Sequence, residues 1–194
     1  WVSEEFSVRG DTRLRVYTPD GNAHVVTIEE LYQTWDRSEL RVEAVDPTDG
    51  SVHLMPISDI LQHQTGHKRA FEVTFTNQHS VVATEDHSFF IHQEGGITPI
   101  ETKDLRIGDE VVAVVSGVKS TYVVEQIQET EPLVLSYDLS VPGFENFVLD
   151  NGTLIHNSYS IGGISLDIDK SSKYMDLKHN AEDQWDKLVQ EKKN

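Results

Sequence analysis

The segment Leu154-Ile155-His156-Asn157-Ser158 sets an asparagine between a histidine and a hydroxyl residue. The amide nitrogen of such an asparagine can attack its own backbone carbonyl carbon, closing a succinimide and releasing whatever follows. That reaction needs a proton for the leaving nitrogen and a stabilised oxyanion. His156 is placed to help, and Ser158 carries a hydroxyl that can first accept an acyl group. A second candidate nucleophile is Ser7, in Phe6-Ser7-Val8-Arg9-Gly10-Asp11-Thr12. An N-to-O acyl shift there turns the Phe6–Ser7 amide into an ester. The shift is uphill and needs backbone distortion and donors aimed at the tetrahedral oxygen, each tenfold of rate being worth about 1.4 kcal/mol. Thr84-Glu85-Asp86-His87 reads as a tight turn after a strand, able to point hydroxyl and imidazole at one carbonyl, with His87 protonating the departing Ser7 nitrogen. Taken one at a time, each motif also reads as an ordinary polar turn, with His87 at the surface.

The elements that must position these groups are short and numerous. Strand patterns rich in β-branched and aromatic residues are expected at Leu14–Thr18, His24–Thr27, Leu40–Val45, Val52–Pro56, Ala70–Thr76, Ser80–Thr84 and Ser88–His92. They continue at Glu110–Val115, Thr121–Gln128, Leu133–Leu139, Asn146–Leu149 and Thr153–Ile155. Pro19-Asp20-Gly21-Asn22, Asp46-Pro47-Thr48-Asp49-Gly50 and Asp150-Asn151-Gly152 supply turns between them. Short helical turns are expected at Ile28–Trp35 and Ser58–Gln62. This is an all-β body. After Gly162-Gly163 the pattern changes: Tyr174, Leu177, Ala181, Trp185 and Leu188 recur at helical spacing, predicting a C-terminal amphipathic helix.

Composition narrows the functions. With 194 residues, 37% hydrophobic and 25% charged, the chain suits one domain with a small appendage. A net charge of −17, from 16 basic against 33 acidic residues, argues against a nucleic-acid partner. No apolar run is long enough to span a bilayer and no leader pattern is present, so a cytoplasmic protein with no membrane partner is expected. Without cysteine, covalent chemistry must use oxygen or nitrogen nucleophiles. The chain opens on Trp1 and reads as a fragment of a longer protein. His63 and His67 are four apart, but Gln-Thr-Gly between them disfavours a helix; a solvated loop is expected and no metal is assigned.

The order of the motifs resembles the splicing blocks of inteins, the protein-splicing members of the Hint-domain family. Ser7-Val8-Arg9-Gly10-Asp11-Thr12 is similar to the N-terminal block, in which Cys or Ser is followed by Gly-Asp-Thr. Val81-Val82-Ala83-Thr84-Glu85-Asp86-His87 is similar to the Thr-x-x-His block. Leu105-Arg106-Ile107-Gly108-Asp109-Glu110-Val111 resembles the Leu-x-x-Gly-Asp-x-Val segment. Tyr137-Asp138-Leu139-Ser140-Val141 through Glu145-Asn146-Phe147-Val148 resembles the penultimate block, and Asn151-Gly152-Thr153-Leu154-Ile155-His156-Asn157-Ser158 the last.

This resemblance implies a horseshoe-like Hint β fold with a C-terminal α-helical flank. It also implies three segments: an N-terminal flank of residues 1–6, a splicing domain of residues 7–157, and a partly helical C-terminal flank of residues 158–194. The implied activity is autocatalytic splicing without cofactor, acting on the chain's own flanks, in a monomer. By the same resemblance Ser7 is the first nucleophile, Thr84 and His87 activate its junction, Asp138 couples the steps, His156 and Asn157 complete the C-terminal cleavage, and Ser158 accepts the acyl group. Where many inteins carry histidine, this chain has Glu145, which acts through water or as a base on the Asn157 amide; the alternative is an exposed loop acid. Residues 93–102 are too few for a homing-endonuclease insert, so the likeness is to a mini-intein with an exposed loop at Gly95-Gly96. The competing reading is a non-catalytic all-β adaptor whose Trp185 helix binds a partner.

Overall fold

The computed structural model describes residues 7–94, 96–157, 159–161 and 164–166. Strand β1 (Arg13–Tyr17) alternates buried Leu14 and Val16 with exposed arginines, the period-two signature of a half-buried strand. It pairs antiparallel with β2 (Ala23–Thr27) and β3 (Arg41–Val45), and β3 pairs with β4 (Val52–Pro56), giving a sheet in the order β2-β1-β3-β4. After β2 the chain turns into α1 (Ile28–Thr34), started by a reciprocal cap. The Glu30 N–H donates to the Thr27 hydroxyl at 3.1 Å and the Thr27 N–H to the Glu30 carboxylate at 3.3 Å, an arrangement worth about 1 kcal/mol. Ile28 and Leu31 are its buried face.

Strand β5 (Asp59–Gln64) pairs antiparallel with β12 (Leu135–Ser140) along its whole length. A larger sheet contains β6 (Ala70–Phe75), β7 (Ser80–Thr84), β8 (Ser88–Gln93), β10 (Glu110–Val115), β11 (Val118–Thr130), β13 (Asn146–Val148) and β14 (Leu154–His156), with β9 (Gly96–Glu101) added on β8. Its order is β13-β14-β8-β10-β11-β6-β7. The 13-residue β11 serves β10 with its first half and β6 with its second. A register shift between Val124 and Gln126 marks a bulge where it changes partner, and such bulges bend and twist a strand, which curls the sheet. The main core joins this sheet to the four-stranded one and includes Leu14 and Val42 of β1 and β3 with Phe75, Phe89, Phe147 and Ile155. Beyond residue 157 a short hairpin pairs β15 (Tyr159–Ile161) with β16 (Ile164–Leu166).

Two local expectations are corrected. Ser58–Gln62 is not helical: Asp59 to Gln62 belong to β5, where six pairings with β12 override a weak local preference. Residues 93–102 are not a free loop, because β9 pairs with β8 from Ser88↔Glu101 to Gln93↔Gly96. Pro99 hides that strand from pattern reading, yet a proline is tolerated on such an edge strand, whose other side has no strand partner among the described residues. The C-terminal helix lies outside the described residues. No helix among the described residues is long and apolar enough to cross a membrane.

The turn into β14 depends on glycine. Gly152 has φ +93°, and a Cβ there would lie 2.5 Å from the Tyr122 hydroxyl and 2.7 Å from the Val114 carbonyl oxygen. Left-handed strain and the clash act together, so Gly152→Ala is expected to destabilise the domain by about 2 kcal/mol or more. The urea midpoint of a chain carrying Ser7→Ala and Asn157→Ala, which holds the polypeptide intact, measures this.

Candidate active site

The segment Ser7–Arg9 lies between two strands that belong to different sheets. Val8 exchanges both backbone hydrogen bonds with Tyr137 of β12 at 2.9 Å, and on its other side the Arg9 N–H donates to the Val82 carbonyl at 2.9 Å and the Thr84 N–H to the Ser7 carbonyl at 3.0 Å. A tight turn follows, with the Thr12 N–H on the Arg9 carbonyl at 3.0 Å. Gly10 is required there, because a Cβ would come within 2.9 Å of the Tyr137 ring. Gly-Asp-Thr therefore serves to lead the chain away from Ser7 under the Tyr137 ring.

Ser7 is 0% exposed. Its N–H donates to the Thr84 hydroxyl at 3.2 Å, and that hydroxyl donates to the Ser7 carbonyl at 3.3 Å. The Ser7 hydroxyl is hydrogen-bonded to the hydroxyl of Ser136, which in turn meets the Thr65 hydroxyl at 2.7 Å. Neither Ser136 nor Thr65 is marked by the sequence motifs. Strand alternation gives the first a signal, since Ser136 lies two residues before Asp138 and shares its face of β12. Continuing the Val8–Tyr137 register by one residue sets Ser7 opposite Asp138, a fully buried carboxyl.

After β7 the chain turns sharply, with the His87 N–H donating to the Thr84 carbonyl at 3.0 Å. Lys68 holds the turn through a 2.5 Å ion pair with Asp86. His87 is fully buried, not a surface histidine, and both its ring nitrogens are without a hydrogen-bond partner among the described residues. Burial, with His156 nearby as a smaller cause, pulls its pKa down from 6.5 to about 3. It is a neutral imidazole at neutral pH, carrying one N–H donor and one acceptor.

The opposite end of the chain arrives on β14, whose Ile155 pairs with Phe89 of β8. Carried two residues further, that antiparallel register aligns Asn157 with His87. His156 points to the other face, against the Phe90 ring with centroids 5.8 Å apart. Desolvation draws its pKa down to about 4. Asn157 is 1% exposed, and its N–H donates to the Glu145 carbonyl at 3.2 Å. Glu145 reaches that position with φ 57°, a left-handed conformation rare for its type. Its side chain is 6% exposed, which excludes the exposed loop acid.

Ser7, Thr84, His87 and Asp138 are thus gathered around one strand edge; Asn157, just past β14, aligns with the same turn, with Glu145 joined to it through its backbone carbonyl and His156 on the opposite face. Ser158 and Phe6 lie outside the described residues. His63, expected in a solvated loop, is buried on β5, while His67 is exposed. Asn146 is engaged structurally, its side chain bonding both the N–H and the carbonyl of Val45 at 2.8 Å. The Leu105–Val111 block forms a turn into β10, closed by the Arg106 N–H on the Asp109 carboxylate at 2.8 Å.

Neutral His87 makes stability sensitive to acid. Its pKa is lower folded than unfolded, so between about pH 6.5 and 3 the unfolded chain binds the extra proton, and stability falls as pH falls through that window. At pH 4 the loss from His87 is on the order of 3 kcal/mol. Denaturation midpoints from pH 7 to 4 should drop steeply in the unreactive double variant above, and less steeply when His87→Phe is added.

Comparisons with known proteins bear on the family and the fold. Residues 16–157 match the family model described as the intein splicing domain; Ser7 lies ahead of the matched region. The chain is 26% identical over 193 residues to a DNA polymerase of Acanthamoeba polyphaga mimivirus, covering 91% of this chain and 11% of that protein. Among solved structures, an intein from a hyperthermophile superposes with a TM-score of 0.70 at 18% identity, covering 78% of this chain and 99% of its own. The DnaB intein from Synechocystis sp. PCC 6803 gives 0.66 at 20%, covering 80% and 100%, and the transcription factor IIB Mvu mini-intein 0.66 at 23%, covering 78% and 99%. The curled β architecture is theirs. With the family model spanning most of its length and ending on the buried asparagine, the chain belongs to the intein splicing domain family, whose activity is protein splicing.

Proposed function

We propose that residues 7–157 excise themselves and join residues 1–6 to residues 158–194, in one turnover and as a monomer. The observation that carries this is the Thr84–His87 turn, which holds Ser7 at one end and aligns with Asn157 at the other. In the first step Ser7 Oγ bonds the Phe6 carbonyl carbon, the Phe6–Ser7 C–N bond breaks, and the hydroxyl proton ends on the Ser7 nitrogen. Thr84 holds the Ser7 nitrogen and fixes the segment through the Ser7 carbonyl, and neutral His87 supplies its N–H to the tetrahedral oxygen or the leaving nitrogen.

Ser158 Oγ then takes the acyl group from Ser7, with Asp138 placed opposite Ser7 to manage the exchanged proton. Asn157 Nδ2 next attacks its own carbonyl carbon, the bond to Ser158 breaks, and a succinimide closes. The freed Ser158 amine finally attacks the ester carbonyl to form the joining amide. Glu145, joined to Asn157 through its backbone carbonyl, acts through water or as a base on the Asn157 amide. Glu145→Gln is expected to slow C-terminal cleavage by about 100-fold, read by gel densitometry; an unchanged rate removes a direct role.

The flanks belong to a longer host, a reading supported by a relative of which this match spans only 11%. Expression of the chain followed by intact-mass measurement tests the whole scheme. Splicing yields an excised piece of 151 residues and a ligated product of 43. Cleavage without ligation yields separate flanks, and a non-catalytic adaptor yields only the intact chain.

A further inference from the structure

We infer that Ser136 and Thr65 form, with Ser7, a directed hydroxyl relay that orients the first nucleophile, with Ser136 acting on Ser7 Oγ as a catalytic contact and Thr65 as a positioning residue behind it. The inference rests on Ser7 being that nucleophile, as proposed above.

All three side chains are 0% exposed, so no bulk water competes for their hydrogen bonds. Their direction follows from counting protons. The Thr65 hydroxyl donates its one hydrogen to the Leu133 carbonyl at 2.8 Å, and a carbonyl has none to return. Toward Ser136, 2.7 Å away, Thr65 Oγ1 can then only accept. The single hydrogen of Ser136 is used in that bond, so toward Ser7 it too accepts. Ser7 is left as the donor at the head of the row. Its hydrogen is fixed on Ser136, and its lone pairs are held away from that bond.

The relay ends on an amide carbonyl, which has no useful basicity, so it drains no proton. The hydroxyl proton of Ser7 still finishes on the Ser7 nitrogen as the Phe6–Ser7 C–N bond breaks and the ester C–O bond forms. What the relay supplies is orientation and polarisation. Each hydroxyl that donates onward becomes a better acceptor for the one behind it, which draws the Ser7 O–H bond out and raises electron density on Oγ. The supports are built into the fold. Thr65 is anchored by its N–H on the Val134 carbonyl at 3.2 Å, and the Lys68 N–H on the Thr65 carbonyl at 3.0 Å closes the loop. Lys68 then grips Asp86, next to His87. One loop thus fixes both the row of hydroxyls and the imidazole turn.

A thiol at position 7 has less need of such help, because its ordinary pKa of about 8.5 leaves a few per cent as thiolate at neutral pH. That difference makes the test specific. Ester or thioester formation at the Phe6–Ser7 junction is trapped with hydroxylamine in chains blocked at the other end by Asn157→Ala, while C-terminal cleavage is timed separately in chains retaining Asn157 with Ser7→Ala. Ser136→Ala and Thr65→Val are each expected to slow trapping about 10-fold with Ser7 in place, a loss on the scale of one hydrogen bond. Ser136→Thr and Thr65→Ser, which keep the hydroxyls, should restore it to within about twofold of the parent.

With Ser7→Cys the penalty of Ser136→Ala should shrink to about twofold or less, and C-terminal cleavage should keep its parental rate throughout. Trapping unaffected by Ser136→Ala, an equal loss in the cysteine background, or an equal loss of C-terminal cleavage overturns the relay. Trapping that persists in Ser7→Ala overturns the nucleophile assignment itself, and the relay with it.

Discussion

Asn157→Ala is expected to abolish release of the C-terminal flank altogether, since no other group in the described site can close a ring on that carbonyl carbon. The amide that attacks is buried, its backbone N–H is fixed on the Glu145 carbonyl at 3.2 Å, and the β14–β8 register aligns it with His87. The steps before cyclisation do not use Asn157, so this variant should accumulate the branched ester in which residues 1–6 are carried on Ser158. Denaturing electrophoresis with intact-mass measurement shows the branched species as the full chain mass, and mild base or hydroxylamine should release a fragment of 6 residues from it. An excised 151-residue piece in this variant would contradict the assignment. The fold should survive: losing a buried polar side chain at the end of a strand costs about 1–3 kcal/mol, less than the whole domain provides.

Ser7→Ala is the second large effect, with an opposite pattern. Removing one oxygen atom leaves the Val8 and Thr84 backbone bonds to this segment unchanged, yet it removes the group proposed to convert the N-terminal amide to an ester. Loss of ester formation should be complete, because no cysteine is present to substitute and the neighbouring hydroxyls are occupied within the relay. C-terminal cleavage needs only Asn157 and its neighbours and should continue, releasing residues 158–194 alone. The ligated 43-residue product should be absent by mass measurement. A ligated product from Ser7→Ala would show that acyl transfer starts elsewhere.

The strand frame was legible in the sequence because alternation and turn residues are local signals, as at Leu14 and Val16 in β1 or the Gly152 turn before β14. Residues 59–62 and 96–101 were not legible, since their strand state comes from partners: β5 exists through β12, 71 or more positions away for every pair, and β9 through β8 across Pro99. The same division holds at the site. Thr84, His87, Glu145, His156 and Asn157 stand in motifs and could be named before any fold was known. Thr65 could not, and for Ser136 strand alternation with Asp138 offered only its face, because a buried hydroxyl gains meaning from what lies beside it, and that neighbour is 129 positions away for Ser136 and Ser7. Burial was equally invisible: His87 and Glu145 are polar residues in turns, which usually face water, and tertiary enclosure keeps the His87 imidazole neutral.

The Ser7–Arg9 segment, held by β7 on one side and β12 on the other, also sets a clock. On a ribosome Ser7 emerges early, but its pocket is not complete until residues near 84 and then near 137 have been made and have docked. Such distant pairings are the slow part of folding. On the proposed scheme a half-synthesised chain therefore carries an inert hydroxyl, and the pocket around Ser7 is assembled only once the second junction is close behind, so that topology discourages premature cutting.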